Sequence, residues 1–123
     1  MSQSPSVARV DADNRVVGLE RGIELIRAEA YFEAHEELED EWRDAPEAER
    51  DFLQGLVHVA VAWHHAGRQN RPGCERQLEK AERRLSAYRP RHRGIDVDMV
   101  LQDVSRAREL VETGALELPR PRV

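Results

Sequence analysis

The sequence predicts an all-α fold, a compact single-domain bundle of four to five helices, on three observations. Apolar residues recur at three- and four-residue spacing through most of the chain. No stretch alternates with period two for long enough to form a strand. A length of 123 residues holds one core and leaves no room for a second. The expected organisation is a flexible N-terminal tail over 1–12, a helical domain over 13–114 and a flexible C-terminal tail over 115–123.

A first helix is expected over about 15–28, with Asn14 as N-cap and Leu19, Ile23, Ile26 and Ala30 at helical spacing. Gly18 and Gly22 either weaken it or allow another helix to approach closely. YFEAHEELEDEWR, residues 31–43, is built of strong helix formers without a breaker and forms the second helix. Asp44 with Glu47 has the spacing of a capping box and Pro46 suits a first turn, so a third helix starts near 46 and runs to about Gly67. GRQNRPG reads as a turn. A fourth helix over about 74–88 carries Cys74, Leu78, Ala81, Leu85 and Tyr88 on one stripe and ends before Pro90. Asp96 can cap a fifth, with Val100, Val104, Ala107 and Val111 inward, stopped by Gly114 and Pro119.

The formal charge of −5 hides a segregation of charge along the chain. Residues 29–51 hold eleven acids against Arg43 and Arg50, whereas 83–93 hold five arginines and no acid. The overall negative charge argues against nucleic acid as a partner for RRLSAYRPRHRG. Its arginines are expected to complement a helix C-terminus and the acidic second helix. The longest nearly unbroken apolar run, Leu56 to Trp63 with His58 inside it, falls short of the ~20 residues of a membrane span. The N-terminus has no apolar export region and Cys74 is the one cysteine, which together point to a cytoplasmic protein.

On a wheel of ~100° per residue, Ala34, Leu38, Tyr31, Trp42, His35, Glu39 and Phe32 of the second helix fall in one arc, read as the core face. His35 and Glu39 are thus an ionisable pair one turn apart among apolar residues, and a buried Glu39 requires a partner: a proton, a cationic His35, an arginine or a metal ion. The third helix is apolar nearly all round, yet Gln54, His58 and His65 line up as a narrow polar stripe, with His64 set apart beside Leu53 and Val57. Two readings of the stripe stand: it faces solvent, or it faces His35 and Glu39. HEELE lacks the second histidine of the zincin HExxH signature, and no paired Glu-x-x-His of the di-iron bundles is present. His35 and Glu39 with one residue of the third helix would suffice for a mononuclear divalent metal ion. A structural hydrogen-bonded pair is the competing reading.

YFEAHEELEDEW followed by FLQGLVHVAVAWHH and GRQN resembles a prokaryotic family, the domain-of-unknown-function family numbered three hundred and nine. Its His-x-x-x-Glu-x-x-Trp/Tyr motif is matched by His35, Glu39 and Trp42, and the likeness takes in Gln54, His65 and Asn70. His58 stands where the family commonly has Gln, and Gln69 where a Gly usually precedes the Asn. The resemblance implies an all-helical domain and a suggested metal-binding role for the motif, and supplies no substrate. The expectation is therefore a small-ligand or metal-binding module with a His/Glu site between helices two and three. His35, Glu36, Glu39, Gln54, His65 and Asn70 are its candidate ligand-binding residues, and His35 and Glu39 its candidate metal ligands. The alternatives are a metal-assisted or His/Glu acid–base hydrolase, and a helical interaction module with a purely structural pair. Candidate partners are a small ligand, a metal ion or a second copy of the chain in a homo-oligomer.

Overall fold

The computed structural model describes residues 17–123. The expected N-terminal tail over 1–12, the Asn14 cap and the start of the first helix lie outside that range. The described chain runs α1 (Val17–Arg27), α2 (Tyr31–Arg43), α3 (Glu47–Gly67), α4 (Arg71–Leu85), a 3-10 turn (Ser86–Tyr88), β1 (Arg91–His92), β2 (Ile95–Asp96) and α5 (Val97–Glu112). The all-α expectation holds, with one addition. The two short strands pair antiparallel, Arg91 opposite Asp96 and His92 opposite Ile95, a ribbon too short to show as a period-two pattern.

Each helix packs chiefly on its neighbours in sequence. The central member is α3, buried at Phe52, Leu53, Leu56, Val57, Val59, Ala60, Ala62 and Trp63 and therefore in need of cover on several sides. Two glycines set how closely the cover can come. A Cβ on Gly22 of α1 would lie 2.6 Å from the Leu38 side chain of α2, and a Cβ on Gly55 of α3 would lie 2.6 Å from the Leu85 side chain of α4. Each missing side chain admits a leucine into the facing helix.

Several ends differ from expectation. No side chain caps α3, whose N-cap is Pro46, so the Asp44–Glu47 capping box does not form. Helix α4 starts at Arg71, earlier than the expected 74, because the Asn70 side chain accepts from the Gly73 N–H at 3.0 Å and Pro72 needs no donor in the first turn. Ahead of it Gln69 sits at φ 61, closing α3 through Gln69 N–H to Ala66 O and Asn70 N–H to His65 O. This left-handed position is one that glycine occupies without steric cost. Asp96 caps α5 as expected, accepting from Met99 N–H at 3.0 Å.

Residues 115–123, expected as a loose tail, lie back against the bundle. Leu116, Leu118 and Val123 pack on the core, and Trp63 Nε1 donates to Pro119 O at 2.9 Å. Arg27 donates to Val123 O at 2.8 and 3.1 Å, and Arg122 reaches Asp103 at 2.7 Å. Apolar residues spaced two apart gave no helical signal, and their partners are distant in sequence.

Leu78 is fully buried on α4. Leu78→Asp is expected to remove several kcal/mol from a total of ~5–15 kcal/mol and abolish the cooperative thermal transition followed by circular dichroism. Gln69→Gly relieves the left-handed residue and is expected to raise the melting temperature by the equivalent of about 1 kcal/mol; a fall would show that the Gln69 side chain supports the turn.

Candidate functional site

An uninterrupted run of helix formers makes α2 regular, and regularity places His35 and Glu39 one turn apart on the same side. The buried face is rotated from the one the wheel selected: it keeps Ala34 and Leu38, with Tyr31 and Trp42 partly buried against the core, but turns away from Phe32. Ala34, Leu38 and Glu41 are buried, with Glu41 only 1% exposed, whereas Phe32 is 51% exposed. The face is turned towards Glu41 because α2 lies between α1 and α3 and must present apolar surface to both. His35 and Glu39 therefore stand at the edge of the core, their side chains 19% and 43% exposed, and a wetted Glu39 does not require the partner that burial would have demanded.

His35 is nevertheless held. Its Nδ1 lies 2.6 Å from Phe32 O, and a carbonyl can only accept, so Nδ1 carries the proton and donates. The other nitrogen, Nε2, is turned towards Glu39 Oε1 at 3.8 Å. Both residues line an open groove of about 590 Å³ that also presents Glu36, Glu33, Asp40, Arg21 and Leu25. Glu36 thus lines the same groove as the pair. The Phe32 ring forms one end, 4.8 Å from the His35 ring and 5.4 Å from that of His64. Burial and the neighbouring charges of His65, Arg68 and His35 hold His64 below the ordinary histidine value.

At His58 and His65 the polar stripe of α3 turns to α4 and not to the pair, while Gln54 and His65 stay partly exposed. His58 is 7% exposed, and its Nδ1 donates to Gln77 Oε1 of α4 at 2.7 Å. His65 turns to the start of α4, where Asn70 Nδ2 lies 3.3 Å from its Nδ1. Asn70 is committed to capping that helix. Gln54, half-buried, shares this stripe. The candidate residues therefore divide: His35, Glu36 and Glu39 face one groove, while His65 and Asn70 hold the α3–α4 junction. Residue 64, which the wheel set beside Leu53 and Val57, is the α3 histidine that approaches α2. Its position on the face that packs on α2 was the available signal.

The donor set does not fit a resident metal ion. His35 Nε2 and Glu39 supply two donors, and among the described residues no group of three His, Cys, Asp or Glu side chains converges. Burial pushes the Cys74 thiol up to about 11, with Glu75 adding to it, which keeps it protonated near neutral pH.

A second cluster escaped sequence reasoning. Glu49 Oε1 accepts from His92 Nε2 at 2.7 Å and Arg93 Nε at 3.0 Å, and His92 packs edge-on to Phe52 at 4.6 Å. Burial acts to raise the Glu49 pKa, but the two hydrogen bonds outweigh it and hold the carboxyl below its ordinary value. The tract 83–93 thus pairs with Glu49, with Asp51 through Arg84 and with Asp98 through Arg89, and not with α2 as expected. Loop closure brings these partners together across 33 and 44 positions, which no local pattern reveals.

A family model described as Domain of unknown function (DUF309) matches residues 19–77. An uncharacterized protein, YpuF, of Bacillus subtilis (strain 168) is 33% identical over 97 residues, covering 74% of this chain and 54% of that protein. The chain spans about half the length of this curated relative. No solved structure matches it. Among the described residues no helix is long and apolar enough to cross a membrane.

His58 predicts a pH dependence of stability. Burial lowers its pKa, the Gln77 hydrogen bond opposes, and Lys80, Arg84 and Arg83 lower it further. The unfolded chain then binds this proton more readily than the folded one as pH falls through about 6.5, so stability is full above that value and declines below it. Thermal melts of the parent should drop between pH 7.5 and 5.5 by more than those of His58→Gln, on the order of 1 kcal/mol of difference. Parallel curves would remove His58 as the cause.

Proposed function

The chain belongs to the DUF309 family of domains of unknown function, and on that premise we propose that it is a small-ligand-binding module whose site is the His35–Glu39 groove between α1 and α2. One observation carries this reading. The Phe32 carbonyl fixes the Nδ1–H form of His35, which leaves Nε2 as an acceptor 3.8 Å from a second acceptor, Glu39 Oε1. Two acceptors at that separation, opening on a groove rich in carboxylates, suit a ligand group with several N–H or O–H donors, such as an ammonium or guanidinium head. The Phe32 ring offers its apolar part a surface. A histidine given one tautomer by a backbone carbonyl is the arrangement that readies the other nitrogen for a partner.

Metal-assisted hydrolysis is the weaker reading, since it needs a third donor beside His35 and Glu39. The setting in this reading is cytoplasmic, supported by a lone, buried cysteine.

Putrescine, ethanolamine and guanidinium chloride are suitable probes, followed by amide shifts in two-dimensional NMR. Saturable shifts over residues 32–39 are expected with at least one of them. Glu39→Gln should weaken binding at least about fivefold while changing stability by less than about 1 kcal/mol, because the pair is wetted. His35→Ala should do the same. Identical titrations for parent and both variants would dismiss the groove as the site.

A further inference from the structure

From the surface at the start of α2 we infer that this end of the bundle docks a segment of another protein carrying arginine or lysine beside an apolar side chain. Phe32 is the one exposed large hydrophobic residue among those described. Its ring does not hang free, since His35 and His64 flank it at 4.8 and 5.4 Å and hold its orientation. Behind it lies a groove of about 470 Å³ whose walls include Tyr31, Glu33, Trp63, His64 and Arg68. Phe32 and Glu33 also line the larger groove on the other side, so the two run together past the ring and give room for an extended chain. A preorganised aromatic side chain rising between two grooves is the form an interface anchor takes.

Charge selects the occupant. Over much of the described surface, acids are met by arginines, as at Glu75–Arg71, Glu79–Arg83 and Asp98–Arg89. Glu33 and Glu36, one on each side of the His35 position, have no such partner among the described residues. A guanidinium laid on the exposed Phe32 face would meet both its π surface and these carboxylates. Arg68 on the opposite wall is left to receive the segment's backbone carbonyls or an acid. A second copy of this chain fits less well, since Arg84, Arg89 and Arg93 are already engaged within their own fold. Nucleic acid would bring like charge to Glu33 and Glu36.

This docking surface does not rest on the ligand reading. Phe32→Ala removes the anchor, and with it the apolar surface offered to a small ligand, but keeps the backbone carbonyl that orients His35; Glu39→Gln impairs the ligand pair and leaves the Phe32 anchor in place, so the two ideas can fail separately. The probe is a blocked Leu-Arg-Leu-Arg-Leu peptide, with Leu-Glu-Leu-Glu-Leu as its counterpart, titrated into the full chain and followed by amide NMR. Saturable shifts confined to residues 31–36 and 63–68 are expected for the basic peptide only. Phe32→Ala should weaken them about tenfold and Glu33→Gln with Glu36→Gln about threefold, in variants whose melting matches the parent. Equal binding of the acidic peptide, undiminished affinity in Phe32→Ala, or no saturation up to about 1 mM would each overturn the inference. So would concentration-dependent shifts of the same amides without peptide, which would assign the face to a second copy.

Discussion

Everything in this bundle follows from the need to cover α3. An apolar helix in the middle of a small domain is stable only if other helices remove most of its surface from water, and each square ångström left wet forfeits about 25 cal/mol. Cover on that scale needs close approach. The chain achieves it at Gly22 and Gly55, where a facing leucine occupies the space a side chain would have filled. Leu38 and Leu85 are fully buried as a result. These contacts set how α2 lies on α1 and how α4 lies on α3, and so decide which polar residues of each helix end up at a seam.

The candidate site is a by-product of that arrangement. Helix α2 serves two neighbours, and its buried face turns to Ala34, Leu38 and Glu41. His35 and Glu39 are thereby moved from the interior to the lip of a groove. At the lip, the pair can exchange with solvent and remain oriented, because the His35 tautomer is set by its own helix through Phe32 O and not by the core. The same geometry sends His58 and His65 to α4, where one bonds Gln77 and the other meets Asn70.

Charge distribution follows the fold and not the sequence order. The arginines of 83–93 are close to acids at 49, 51, 96 and 98, so they fasten the ribbon and the start of α5 to α3. The acidic start of α2 is left without that compensation at Glu33 and Glu36. Exposed ion pairs of this kind contribute little each, on the order of 0–1 kcal/mol. Their effect is to leave one part of the surface with a distinct potential.

The helical class, the full extent of α2, the Asp96 cap and the core stripes of α4 and α5 were legible in the sequence, because they depend on residues three and four apart whose relations a helix makes local. The identity of His35 and Glu39 as neighbours was legible for the same reason. What tertiary structure alone decided is which side of α2 is buried, which helix His58 and His65 face, that Glu49 gathers His92 and Arg93, and that 115–123 folds back on Trp63. A wheel measures the angle between side chains within one helix. The direction of the core is set by where the other helices lie, and a helix wedged between two neighbours has two such directions, whose compromise no single amphipathic pattern can express.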